Sequence, residues 1–286
     1  MKKIRSIQPL KVEKLKSPNI VLLMDKIRFE LENCKNDQFN EICWFLREYP
    51  RIFRHHLECL EYRLENIHAI YIDAYNKLNN KLDNLNDELN DLKSCILSND
   101  EMKILPNAEL WEMSFSDIKT KVMYWEFESL LSAANISLDI MTRILSTAFK
   151  EQLPPNFNKA CKKEEDSNGI IAFMKSEKDD WVSSLKDYRD CFTHCIPVDT
   201  LLSIKAIKED DEWFIYGKLP INPNERDITR FDFDYKNDVL KYSIFIYEKV
   251  KYFEEYISLK IENMYSTGLY PVRINNLFSV GRREKI

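Results

Sequence analysis

The stretch LECLEYRLENIHAIYIDAYNKLNNKL, residues 57–82, decides the fold class. Leu57, Leu60, Leu64, Ile67, Tyr71, Ala74 or Tyr75, Leu78 and Leu82 recur at steps of three and four. Those steps place them on one face of a helix. The same spacing runs on through Leu85, Leu89, Leu92 and Ile96 without a glycine or proline. The pattern predicts a helix over about 53–97, roughly 60 Å long. Outside the seam, NKLNNKLDNLNDELNDLK (76–93) is mostly Asn, Asp and Lys. One narrow apolar stripe is thus left for a partner, as in a coiled coil. The partner is either a helix of the same chain or a second chain.

Working outward, a second periodic run starts at Asn19 with Ile20, Leu23, Met24, Ile27 and Leu31, and predicts an amphipathic helix. A short helix is expected over 38–48, ending before Pro50, because the residue ahead of a proline is biased away from the helical region. Residues 1–18 read as irregular, punctuated by Pro9 and Pro18. On the other side, 97–115 breaks the periodicity and carries Pro106, so a domain boundary is placed there. Ser116 and Asp117 can cap a helix running to about Phe149. Residues 150–169 read as a polar loop, and another helix covers about 176–195, stopped by Pro197.

TLLSIKAI (200–207) and EWFIYGKL (212–219), joined by KEDD, predict a β-hairpin. Residues 220–238 read as connecting loop, and a strongly periodic helix covers about 238–265. The organisation expected is an N-terminal helical region (1–105), a helical bundle (106–270) and a tail (271–286). The fold class is mostly α, with a long coiled-coil-like helix and a small β-hairpin insertion.

Composition agrees. Only four of 286 residues are glycine, which leaves little for tight turns or glycine-rich phosphate loops. The net charge of −5 excludes a general basic footprint, so any polyanion site must be local. The basic clusters Lys2–Lys3–Arg5, Lys159–Lys163 and Arg282–Lys285 are ordinary solvated runs. Seven scattered cysteines (34, 43, 59, 95, 161, 191, 195) include no Cys-x2-Cys pair, so no metal or other cofactor is expected and the thiols read as free. The stretch MKKIRSIQPLKVEK lacks the apolar core of a signal peptide, and no run approaches the roughly 18 apolar residues of a membrane span. A cytoplasmic protein without a membrane partner is the expectation.

The chemistry-bearing motif is YRDCFTHC (188–195), which holds Arg189, Asp190 and His194 near the end of a helix. RIFRHH (51–56) and RLENIH (63–68) repeat the arginine-to-histidine spacing, so spacing alone carries little. In those two stretches the residues read as solvated surface. Around Arg189 the helix carries an apolar stripe, Trp181, Leu185, Tyr188 and Phe192, and distortion at its end can bring Arg189 and His194 to one ridge. On the helix before it, Trp125, Leu130 or Leu131, Ala134, Leu138, Met141 and Leu145 form the apolar side, and Glu128, Asn135 and Asp139 share another face. That polar ridge is either a solvent face or the partner of Arg189 and His194.

Taken together, RDCFTH and the upstream EFESLLSAANISLD (126–139), with Trp181 ahead of the arginine, resemble the HEPN superfamily of helical toxin and defence ribonucleases. The resemblance covers about 110–265. The family's commonest residue after the arginine is asparagine, where this chain has Asp190. The resemblance implies metal-independent RNA cleavage by Arg189, Asp190 and His194, with Glu128, Asn135 and Asp139 in support. It implies a homodimer whose two Arg/His sets form one cleft, and an antitoxin or nucleotidyltransferase partner. In such a site a histidine takes the proton of the RNA 2′-OH and a guanidinium stabilises the charged phosphorane. The alternative is a non-catalytic interaction or scaffold protein of the same fold.

Overall fold

A computed structural model describes residues 3–4, 7, 10, 18–32, 39–88, 102–104, 111–115, 118–148, 153–154, 156–164, 169–196, 202–209 and 212–266. The chain is mostly helical. In order the elements are β1 (Lys3–Ile4), α1 (Asn19–Glu32), α2 (Phe39–Glu88), β2 (Met102–Ile104), β3 (Trp111–Phe115), α3 (Ile118–Ala148) and α4 (Phe157–Ala160). Then come α5 (Ile170–Glu177), a π-helical segment (Lys178–Val182), α6 (Ser183–His194), β4 (Ile204–Glu209), β5 (Glu212–Pro220), a 3₁₀ turn (Ile228–Arg230), β6 (Phe233–Asp238) and α7 (Val239–Ser266).

The expected break at Pro50 does not occur, because α2 is one helix of 50 residues with Pro50 inside it. Proline removes a backbone hydrogen bond and costs about 3 kcal/mol in a helix interior. Here its ring is buried in the apolar stripe between Leu46 and Phe53, which are 2% and 1% exposed. Burial of the ring offsets the lost bond. The seam from Leu57 to Leu78 is buried within the single chain, so its partner is intramolecular. The positions from Leu82 to Ile96 lie outside the side chains described. So do Ser116 and Asp117, expected as caps of α3, and the C-terminal tail.

The chain divides into two compact units, each drawn from three stretches, so residues from both sides of position 105 enter each one. The first unit comprises Met1–Val12, Glu61–Leu130 and Asp187–Phe245. It contains a sheet of order β1-β5-β4-β3-β2, with β6 also paired to β5. The expected hairpin β4–β5 is present and antiparallel, and β3 extends it through pairs from Trp111↔Lys208 to Phe115↔Ile204. Two segments read as irregular or loop are strands: β1 pairs parallel with β5, and β6 antiparallel with it. The break at 97–115 holds β2 and β3.

Tyrosines fasten the helices of this unit to the sheet. The Tyr124 hydroxyl on α3 reaches the carbonyls of Lys218 at 2.8 Å and Ser203 at 3.2 Å. The Tyr71 hydroxyl on α2 donates to Asp238 and accepts from the amides of Gly217 and Leu240, at 2.7 and 3.2 Å. Asp238 also accepts from the Lys241 amide at 2.8 Å, and so caps α7. Burial raises the Asp238 carboxyl above its ordinary value, against the lowering effect of these donors.

The second unit comprises Glu13–Leu60, Leu131–Lys186 and Ile246–Ile286. Its core takes Ile20, Met24 and Ile27 from α1, Leu138, Met141 and Leu145 from α3, and Phe253, Ile257 and Ile261 from α7. The segment read as loop at 150–169 contains α4, whose first amide, Phe157 N–H, donates to Asp139 at 2.8 Å. The helix expected from about 176 begins at Ile170 instead, after Gly169 at φ 74°, and passes through the π-helical segment before α6. Within it the buried Trp181 donates its indole N–H to Glu177 at 2.7 Å.

Glu254 on α7 is 4% exposed and accepts the Ile20 amide at 2.7 Å and the Ser258 hydroxyl at 3.0 Å. It thus caps α1 from a distant part of the chain. Burial raises its carboxyl above the ordinary value of 4.5. A carboxyl raised in the folded state favours folding fully below the unfolded-state value and loses that contribution as pH rises through the folded one. Glu254→Gln keeps the acceptor but does not ionise. Its stability relative to wild type is therefore expected to improve as pH rises from about 4.5 to 7. Urea unfolding midpoints at the two pH values check this, and a constant difference contradicts it.

Candidate functional site

The last turns of α6 lie in the first unit and are anchored from below. Phe192 packs edge-on against Phe127 at 5.1 Å between centroids and stacks with Tyr124 at 5.9 Å. Tyr188 lies 4.6 Å from Tyr242, and its hydroxyl donates to the Pro220 carbonyl at 2.8 Å. Cys191 is fully buried, and burial pushes its thiol up to about 12. Tyr188, Cys191 and Phe192 thus hold one side of the helix, while Arg189, Asp190, Thr193 and His194 occupy the other, with Thr193 and His194 exposed.

Arg189 is positioned by its neighbour. Its Nη2 and Nε donate to Asp190 Oδ1 at 2.7 and 3.1 Å. The two side chains are 30% and 24% exposed, so the pair adds at most about 1 kcal/mol to stability. Glu128 on α3 accepts a long hydrogen bond from Thr193 at 3.4 Å, which brings one member of the expected polar ridge to this turn. Asn135 and Asp139 belong to the second unit, where Asp139 caps α4.

The expected distortion of the helix end is absent. α6 stays α-helical through His194. A five-residue step turns about 140° around such a helix, so Arg189 and His194 do not share a ridge. Among the described residues no hydrogen bond joins them. Asp190 and His194, four residues apart, do share a face.

Of the two other arginine-to-histidine stretches, one departs from its expected place at the surface. His68 is 8% exposed, and Arg63 donates to Glu126 at 2.6 Å, with Asn66 on the same carboxylate at 3.2 Å. His56 is half-buried, and burial and then His55 lower its pKa. Trp125, read as a core position, is 52% exposed. The other apolar positions expected along α3, from Leu130 to Leu145, are buried.

One residue at this site carried no sequence signal. Arg226, in the segment read as connecting loop, donates from Nη1 to Cys195 Sγ at 2.9 Å, one residue past His194. Nothing about an arginine in a polar loop predicts that the chain folds it back onto α6. Among the described residues no three His, Cys, Asp or Glu side chains are grouped to hold a metal ion. The chain matches no family model, and comparison with curated proteins and with solved structures gives no match either.

Proposed function

We propose that this chain cleaves RNA without a metal ion, using Arg189, Asp190 and His194 of α6 in a homodimer. The observation that carries the reading is the end of α6 itself. A helix fastened by three buried side chains presents a guanidinium, already oriented by a carboxylate, and an exposed imidazole one turn on. In the reaction the histidine takes the proton of a 2′-OH. The 2′-oxygen attacks the adjacent phosphorus to form a 2′,3′-cyclic phosphate, the P–O5′ bond breaks, and the 5′-oxygen takes a proton from solvent water as it leaves, while the histidinium returns its proton to solvent. Arg189 stabilises the negative charge on the phosphorane by paired N–H donation.

Because Arg189 and His194 point about 140° apart within one chain, the cleft is proposed to join Arg189 of one copy with His194 of another. Exposed apolar side chains in the same unit support such an association: Tyr62 at 58%, Ile72 at 41%, Ile118 at 64% and Trp125 at 52%. They neighbour the ion pairs Arg63–Glu126 and Asp73–Lys119, which join α2 to α3. Large exposed apolar side chains are what a second copy would cover in such an association.

Purified protein in a metal chelator is expected to cut single-stranded RNA, and Arg189→Ala to lose about 100-fold or more of that rate. Asp190→Asn removes a negative charge beside Arg189 and keeps a polar neighbour, so it is expected to retain cleavage and tighten RNA binding. Equal rates for Arg189→Ala and wild type would sink the reading.

The second reading is a non-catalytic interaction protein. It is favoured by the net charge of −5 and by Arg189 being tied to its own neighbour. Overexpression separates the two, since a ribonuclease arrests growth and a scaffold does not.

A further inference from the structure

The loop between β5 and β6 is braced by its own polar groups. The Ile221 amide donates to the Asp232 carbonyl at 2.9 Å, and Asn222 spans the base, donating to the Arg230 carbonyl at 2.9 Å and accepting from the Asp232 amide at 3.0 Å. Glu225 Oε1 accepts the amides of Arg226 and Asp227 at 2.7 and 2.9 Å. Asp227 accepts the amide and hydroxyl of Thr229 and pairs with Arg230 at 3.3 Å. The third acid, Asp232, accepts the Phe233 amide at 2.9 Å, so all three acids of the loop are occupied locally, and none pairs with the Arg226 guanidinium.

Arg226 instead crosses to the end of α6. The one hydrogen bond of its side chain among the described residues goes to the Cys195 sulfur at 2.9 Å. Sulfur is a weak acceptor, whereas a guanidinium carries five N–H donors. An exposed arginine resting on so weak a partner is held in place yet has most of its donors open to a stronger anion. Its charge is favoured first by the bond to Cys195 and also by nearby Asp190, the carboxylate that orients Arg189.

We propose that Arg226 is a second phosphate-binding guanidinium of this site, which the loop 221–232 places beside the end of α6 to grip an RNA phosphate near the one Arg189 engages. The proposal rests on the reading that the end of α6 meets RNA. It also answers how a chain of net charge −5 holds a polyanion: two arginines from separate elements are placed at the end of one helix, Arg189 by Asp190 and Arg226 by Cys195. A phosphate, with several oxygens, can accept from both guanidiniums at once.

The test uses the 286-residue chain carrying His194→Ala and a labelled single-stranded RNA oligonucleotide of mixed sequence, in chelator, with binding followed over a range of salt concentrations. Adding Arg226→Ala is expected to weaken binding about tenfold and to make the log–log salt slope shallower by about 0.7, the loss of one phosphate contact. Arg226→Lys keeps the charge without the planar fork, and is expected to restore the slope and part of the affinity. Unchanged affinity and slope in Arg226→Ala overturn the proposal even where the wild type cuts RNA. Weakened binding by Arg226→Ala, together with a wild type that never cuts, leaves the phosphate site standing and removes the nuclease. Absence of RNA binding by the parent at low salt overturns both.

Discussion

Gly217→Ala is expected to lower the stability of the protein by roughly 3 kcal/mol or more, seen as a fall of about 10 °C or more in thermal midpoint. A Cβ at this position on β5 would stand 2.8 Å from the Met123 methyl, 2.8 Å from the Tyr71 hydroxyl and 3.1 Å from a Val239 methyl. The Met123 end is flexible and can move. The Tyr71 oxygen cannot move cheaply, because it bonds at once to Asp238, Gly217 and Leu240. Displacing it strips one donor from the buried Asp238 and takes the acceptor from the Leu240 amide, while the Gly217 amide keeps only Asp238, at 2.9 Å; each group left unpaired costs about 1–3 kcal/mol. Tyr71→Phe alone loses the same hydroxyl without the clash and is expected to cost about 1–3 kcal/mol. The double variant should then be less destabilised than the sum of the two, because removing the hydroxyl makes room for the new methyl. Strict additivity, or an alanine variant that melts like wild type, would show that the glycine is not there to admit the tyrosine.

The second large effect concerns His194. His194→Ala is expected to reduce RNA cleavage by about 100-fold to 10,000-fold, the usual worth of a general base. Stability should barely change, because His194 is exposed and bonds to no described residue. The matching control is Thr193→Ala one position earlier, which removes only the long bond to Glu128 and is expected to leave cleavage within a fewfold of wild type. Loss of activity in both variants with intact melting would point to the whole turn as a binding surface and away from a base at His194.

The helices were legible because their signal is local. Ile20, Met24 and Ile27, or Val250, Phe253 and Ile257, mark a buried face by spacing alone, and α1, α3 and α7 lie where that spacing puts them. Pro50 misleads because the rule for proline concerns backbone bonding, while the outcome was set by what its ring packs against. Strands β1, β2 and β6 were hidden for the opposite reason. Lys3 and Ile4 become a strand only by pairing with Glu212 and Trp213, some two hundred positions away, and two residues carry no periodicity of their own. At the site, Arg189, Asp190 and His194 could be picked out by order and context. Asp139 shares a helical face with Glu128 in sequence, yet its bond is to the first turn of α4, a helix too short to announce itself. Arg226 reaches α6 only through the turn chemistry of Glu225, Asp227 and Asn222, which braces the loop but does not say where it points.

The chemistry proposed for α6 leaves a mark on its products that a nuclease attacking with metal-activated water does not leave. The decisive measurement is the end-group analysis of RNA fragments made by the wild-type protein in a metal chelator. Attack by the 2′-oxygen predicts a 2′,3′-cyclic phosphate on one fragment and a free 5′-hydroxyl on the next. Intact RNA under those conditions, or fragments ending in a 3′-hydroxyl and a 5′-phosphate, would contradict it.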